Sequence, residues 1–283
     1  MKDYILSAFA DESSPELGGQ IDALKRNGFT GLELRNVDGQ NVSELSLEKA
    51  KEIHTRLSDE GLMVWSAGSP LGKIGIEDAF EPHLDTFRHT LEVCHALGAE
   101  RIRLFSFFLP KGDEAGKWRN AVMDRLFQFV EAAKGSGITL CHENEKGIYG
   151  DIAPRCADIH RTIPELKAVF DPANYVQCAQ ETLSGWEEIK PYIHYMHIKD
   201  ALPDGSVVPP GRGAGNVPAI VKDYVARGGR AFTVEPHLTV FKGLSALERE
   251  GQTSNVGKYA YPTPEAAFDT ACTALKSILA EIE

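Results

Sequence analysis

Four side chains able to bind a divalent metal stand at the ends of four short β-like runs: Glu143 in ITLCHENE, Asp171 in LKAVFDPAN, His197 in IHYMHIKD and Glu235 in AFTVEPHL. Each run is apolar or alternating until a polar cluster stops it. A strand that ends in a carboxylate or an imidazole aims that group at the mouth of a barrel, the face on which such folds carry their chemistry. Three carboxylates and one imidazole form a hard, oxygen-rich donor set. It suits Mn, Mg or Co and, less clearly, Zn, and it leaves coordination positions for a chelating substrate. Taken singly, each residue has an ordinary reading as a cap, an ion-pair partner or a hydrogen-bonded core histidine. Their joint placement on the last four strand signals points to a metal site.

Strand and helix signals alternate along the whole chain. YILSAFA (4 to 10) reads as a first strand, and SPELGGQIDALKRNG as a helix that Gly28 closes as a C-cap. GLELR (31 to 35), the helix SLEKAKEIHTRLSDEG and MVWSAGSP (63 to 70) repeat the pattern. The long helix HLDTFRHTLEVCHALG, the strand RIRLFSFF (101 to 108) and the helix RNAVMDRLFQFVEAA lead into the four runs named above. Helical segments near 153 to 163, 182 to 190 and 217 to 228 separate those runs, and PEAAFDTACTALKSILAEI ends the chain. Eight such units without a composition break predict an α/β fold, a single-domain (β/α)8 TIM barrel over residues 1 to 283. Three connections are longer than a plain barrel needs: LPKGDEAGK, ALPDGSVVPPGRGAG and TVFKGLSALEREGQTSNVGKYAYPTP. All follow strands, so they are candidate lids and substrate walls or else plain surface loops.

Composition excludes several classes of function. The 283 residues, 42% hydrophobic and 25% charged, are ordinary for a soluble globular chain. A formal net charge of -11 opposes nucleic-acid binding, which leans on clustered Lys and Arg. MKDYILSAFADESS lacks the layout of a signal peptide, and no stretch approaches the roughly 20 apolar residues of a membrane helix. Five cysteines without a C-x-x-C predict neither a disulfide framework nor a zinc ribbon, which fits a reducing cytoplasm. The expected partner is a small-molecule sugar, with no nucleic acid and no membrane; a homo-oligomer is left open.

The blocks SAFADE, LELRNVDGQNV, SPLGKI, RIRLFSF, ENEKGIYGD, FDPANY, HIKDA, PPGRGAG and VEPHL run through nearly the whole chain. Through them it resembles the xylose isomerase-like TIM-barrel superfamily, and within that the sugar phosphate isomerases and epimerases. The superfamily includes sugar isomerases, ketose 3-epimerases, inosose dehydratases and the endonuclease IV group. The resemblance implies one divalent metal held by Glu143, Asp171, His197 and Glu235, the four residues already chosen by strand-end placement. Following the ketose 3-epimerases, it implies Glu143 and Glu235 as an acid/base pair and Asp171 and His197 as purely structural ligands.

Other polar residues complete the expected mouth. Asn174, three after Asp171, falls where the family places a His or Asn near substrate; a turn-forming Asn is the other reading. Arg35 and His237 are candidate substrate contacts. Lys199 and Arg212 are candidates for neutralising a developing enolate or holding a phosphate, against the reading of solvated charges. GRGAGN (211 to 216) lacks the spacing of a dinucleotide loop but precedes a helix where barrels bind phosphate through backbone N–H groups. Alternation puts Glu145 on the face of Glu143 and His142 on the other, so His142 is expected to pack between barrel and helix. Trp65, Phe105, Phe107 and Phe108 are candidates for an apolar wall of the site, with core packing the expected role of all four.

The expected reaction is isomerisation or epimerisation of a sugar or sugar phosphate through an enediolate, closest to that of a ketose 3-epimerase, with a non-phosphorylated ketose favoured because Arg212 and Lys199 are few charges for a dianion. A dehydratase acting on an inosose or on 3-dehydroshikimate starts with the same proton removal and is the nearest alternative. An endonuclease IV-like hydrolase and a non-catalytic sugar-binding barrel are the remaining readings.

Overall fold

The computed structural model describes residues 4–112, 114–241 and 261–282. Its eight principal strands close into one parallel barrel. They are β1 Ile5–Ala8, β2 Gly31–Leu34, β3 Met63–Gly68, β4 Arg101–Leu104, β5 Thr139–Glu143, β6 Lys167–Phe170, β7 Ile193–Ile198 and β8 Ala231–Val234. Neighbours in sequence are neighbours in the sheet, and β1 closes the ring by pairing with both β2 and β8, with Ser7 opposite Gly31 on one side and Thr233 on the other. The expected α/β barrel is therefore what forms.

The helices are α1 Leu17–Asn27, α2 Leu47–Asp59, α3 Glu81–Leu97, α4 Ala115–Ala133, α5 Ala153–Thr162, α6 Pro172–Gln177, α7 Thr182–Ile189, α8 Val217–Ala226 and α9 Pro264–Ala280. Local chemistry sets their ends. Gly28 takes the left-handed conformation (φ 69°) that caps α1, as the sequence predicts, and the Ser46 side chain accepts the Lys49 N–H at the start of α2. Between strands and helices lies one continuous apolar core that includes Leu24, Leu32, Ile53, Phe87, Phe129, Phe232 and Phe268.

Three local features differ from the sequence reading. The sixth strand ends before Asp171, as its polar cluster predicts, but a short helix that the sequence reading lacks follows at once: Asp171 is the N-cap of α6, accepting the Asn174 N–H at 2.9 Å, with Pro172 at the first helical position. RIRLFSFF stops as a strand at Leu104, since the Phe105 and Phe107 N–H groups donate to Leu71 and Gly72 of the preceding strand-to-helix loop. The loop after β7 carries a small antiparallel pair, Asp200–Ala201 with Val207–Val208. Most of the long connection after β8, and Asp113 in the one after β4, lie outside the described residues. Among the described residues no helix is long and apolar enough to cross a membrane, and all five cysteines are free.

Candidate metal centre

Alternate residues of each strand point into the barrel, which layers its interior. At the bottom Trp65, Cys141, Val169, Tyr195 and Ala231 form a small apolar plug. Two residues further along, the same strands present Glu143, Asp171, His197 and Thr233, all buried. Beyond these, at the mouth, Arg35, Phe105, Glu145, Lys199 and Glu235 line a cavity. His142 has the opposite parity. As expected it packs outward, its ring 5.8 Å from that of His160 on α5 and its Nε2 2.9 Å from Ser106 Oγ.

Glu143, Asp171, His197 and Glu235 offer four ligand atoms that all lie within 4.8 Å of one another. His197 Nδ1 sits between the two glutamates, 2.9 Å from Glu143 Oε1 and 3.5 Å from Glu235 Oε2. Its Nε2 is 3.2 Å from Glu33 Oε2, so Glu33 takes the Nε2–H and leaves the Nδ1 lone pair facing the cluster. One Asp171 oxygen is occupied as the α6 cap; the other, Oδ2, is buried with no hydrogen bond and lies 2.8 Å from Lys199 Nζ.

Electrostatics argues that this set fits a divalent ion. Four carboxylates (Glu33, Glu143, Asp171 and Glu235) face the fixed cations Arg103 and Lys199, with Arg35 shared between Glu235 and the Asp11–Glu12 pair, so the cluster carries an excess of negative charge that a divalent ion would offset. Burial pushes the Asp171 carboxyl up to about 7; Lys199 opposes this, and Glu235 and Glu143 add to it. Burial would lower His197, yet the Glu143 and Glu33 carboxylates drive it well above the ordinary imidazole range. Burial would raise Glu235, yet Lys199, His237 and His197 hold it well below the usual carboxylate range. The excess negative charge calls for a cation: protons on His197 and Asp171 supply part of it when no metal is bound, and a divalent metal would supply it in their place.

The neighbouring candidates divide. Asn174 comes to the mouth, its Nδ2 donating to Asn144 O at 2.9 Å and to Glu143 Oε1 at 3.3 Å. Arg35 lines the cavity but is held by Asp11 (2.9 and 3.0 Å) and Glu12 (3.1 Å) and is 2% exposed. His237 faces the same cavity in a left-handed conformation (φ 44°), which Glu12 secures by accepting its backbone N–H and lying 2.9 Å from Nδ1. Glu12, Glu235 and His237 also group within metal-binding distance, but Arg35 already supplies a cation there, 3.1 Å from Glu12 and 3.6 Å from Glu235.

Arg212 is not brought to this site. It lines a separate groove beside Pro209, Pro218 and Ile278. The amides expected to cradle a phosphate are used internally: the Gly211, Gly213 and Gly215 N–H groups all donate to Asp200, at 3.0, 2.9 and 2.8 Å, as does that of Ala201. A Cβ at Gly213 or Gly215 would run into that carboxylate, which is why glycines stand there. Arg103, Lys73 and the Phe105 ring do line the cavity, and sequence reasoning passed over the first two and put the third in the core. The parity of Arg103 and Phe105 along β4 was the available signal. Trp65 lies at the barrel bottom with Arg101 3.7 Å over its ring.

The chain belongs to the xylose isomerase-like TIM barrel family, whose sequence profile matches residues 21–247, in agreement with the resemblance carried by its motif blocks. No curated protein is a significant match. In fold it is similar to IolI in a structure with a binding zinc atom, with a TM-score of 0.75 and 15% identity over 98% of this chain and 99% of that one. It is similar to the probable 3-DHS dehydratase AsbF, involved in petrobactin synthesis, from Bacillus anthracis (TM-score 0.72, 15% identity, 97% of this chain and 98% of that one). A third is 3-keto-D-glucoside 4-epimerase, YcjR, from E. coli in its apo form (TM-score 0.69, 14% identity, 98% of this chain and 99% of that one). At these identities the likeness is one of fold.

Proposed function

We propose that this protein is a divalent-metal-dependent sugar isomerase or epimerase, closest in chemistry to a ketose 3-epimerase. The observation that carries the reading is the convergence of Glu143, Asp171, His197 and Glu235 within 4.8 Å at the floor of the cavity, with the two glutamates coming from β5 and β8. Membership of the xylose isomerase-like barrels, and a fold shared with an epimerase and with a zinc-binding protein, support it. Mn, Mg, Co and Zn all suit three oxygens and one nitrogen. When bound, such an ion supplies Lewis-acid polarisation of a carbonyl and its adjacent hydroxyl.

The chain's own residues supply the proton chemistry. Glu143 and Glu235 reach the cavity from strands three positions apart in the ring, so their carboxylates address different faces of a substrate between them. One removes the proton next to the carbonyl and the other returns a proton to the opposite face, which inverts that carbon. Each carboxylate has a cation beside it, Lys199 at 3.1 Å from Glu235 and Arg103 at 3.4 Å from Glu143. Asn174 fixes Glu143 through its side-chain amide, Glu33 fixes the His197 ring, and Lys199 offers positive charge to the developing enediolate. Apart from the Arg35-bound group at Glu12, no further metal-capable set is found among the described residues, which disfavours the trinuclear endonuclease IV type.

The test is turnover of a panel of ketoses, ketose phosphates and polyhydroxy keto acids in deuterated water with Mn²⁺. The reading expects deuterium at the epimerised or isomerised carbon, loss of turnover with chelator, and loss in Glu143→Gln and Glu235→Gln. Turnover that leaves every carbon-bound proton in place would overturn it, and loss of water from the product would favour the dehydratase.

A further inference from the structure

Two buried arginines at this mouth differ sharply. Arg35 is satisfied by Asp11 and Glu12, whereas Arg103, its side chain 6% exposed, donates no hydrogen bond among the described residues. Its Nε lies 3.4 Å from Glu143 Oε2 and 3.9 Å from Glu33 Oε1, ion-pair distances without hydrogen-bond geometry. A guanidinium has five donors in a rigid fork, and a buried one with none used is rare outside a ligand site. The group lies 4.5 Å from the centre of the Phe105 ring, and Lys73 Nζ lies 4.3 Å from the same centre. Both cations and the ring line the cavity beside the metal cluster.

We propose that Arg103, assisted by Lys73, binds an oxyanion of the substrate, which makes the substrate an anionic polyhydroxy carbonyl compound and not a neutral ketose. The inference rests on the isomerase or epimerase reading for the carbonyl and hydroxyl end of that molecule. No hydrogen bond ties the Arg103 Nε to Glu143, so the fork is available to an acceptor in the cavity whether or not a metal is bound. Carboxylate and phosphate both match that fork in a bidentate manner. Lys73 keeps one partner, Glu145 at 3.1 Å, and adds positive potential beside the same ring.

Three polyols without a carbonyl group test this without turnover: D-glucitol, D-gluconate and D-glucitol 6-phosphate, titrated calorimetrically into Mn²⁺-loaded protein. Wild type is expected to bind at least one anion about tenfold more tightly than D-glucitol, and the better of the two identifies carboxylate or phosphate. Arg103→Met should abolish that preference, Arg103→Lys should keep part of it, and Lys73→Met should reduce it. Equal binding of all three polyols by wild type, or a preference undiminished in Arg103→Met that still folds, overturns the proposal. If Arg103→Met does not fold, an unchanged preference in Lys73→Met overturns it. Repeating the titrations with chelator reads the anion subsite alone. Mn²⁺ binding without anion preference thus sinks this inference only, whereas anion preference without Mn²⁺ binding or proton exchange sinks the isomerase reading only.

Discussion

Glu33 and His197 form a fully buried pair, with Glu33 Oε2 3.2 Å from His197 Nε2. The contact fixes which imidazole nitrogen faces the ligand cluster, because the Nε2–H is engaged and Nδ1 is left 2.9 Å from Glu143. Such a carboxylate both orients the ring and strengthens it as a donor. Glu33 is itself held by the Tyr195 hydroxyl at 2.8 Å, which ties the metal floor to the apolar plug below it.

Glu33→Gln keeps the shape of this pair and removes its charge. Mn²⁺ affinity, measured by calorimetry or by competition with a chelating dye, should fall about 10- to 100-fold while the fold is retained. An unchanged affinity would remove Glu33 from the account.

Asp200 accepts four backbone N–H groups from its own loop and buries the result. Asp200→Ala should therefore destabilise the protein by about 3 kcal/mol, the scale expected when charged hydrogen bonds are lost and their partners stay unpaired. Arg212→Ala, in its separate groove, should leave stability and anion binding unchanged. A large loss of affinity for D-gluconate or D-glucitol 6-phosphate in Arg212→Ala would restore the loop as a phosphate site.

The site was legible where a period of two carries it. Glu143, His197 and Glu235 stand on strands whose alternation fixes the inward face, so strand-end placement sufficed to gather them, and the same rule turned His142 outward. Arg103 obeys the same parity on β4. Its inward side was readable from that parity alone, whereas the end of the strand at Leu104, set by backbone bonds from Phe105 and Phe107 to the Leu71–Gly72 loop, was not. The Asp171 cap is encoded in the D-P-A-N order, a helix start too short, at Pro172–Gln177, to show a period of its own. The grip of Asp200 on three glycine amides is a loop conformation of 11 to 15 residues' separation, which no periodicity encodes. Glycines that admit a substrate phosphate and glycines that admit the chain's own carboxylate read alike.

His160 is a source of acid sensitivity away from the metal centre. Its Nδ1 is 2.9 Å from Leu166 O, its Nε2 has no partner, and burial holds its pKa down at about 4 from an ordinary 6.5. The unfolded chain thus binds a proton that the folded one refuses. Stability should be intact above pH 6.5 and decline as pH falls towards 4, by up to about 3 kcal/mol from this group. Urea unfolding across that range measures the slope, and His160→Leu should flatten it by about one proton. An identical slope in the variant would contradict the assignment.

The central claim is that one divalent ion sits among Glu143, Asp171, His197 and Glu235. Crystals of wild type and of Asp171→Asn grown with Mn²⁺, with diffraction recorded at the manganese edge, test it directly. Asparagine retains the capping oxygen for α6, so the variant should fold while binding metal more weakly. In wild type the anomalous map should show one strong peak about 2.0 to 2.4 Å from His197 Nδ1 and from oxygens of the three carboxylates, much reduced in Asp171→Asn. A peak elsewhere, or none at saturating Mn²⁺ with Lys199 still seated against Asp171 and Glu235, would contradict the metal centre and the proton chemistry built on it.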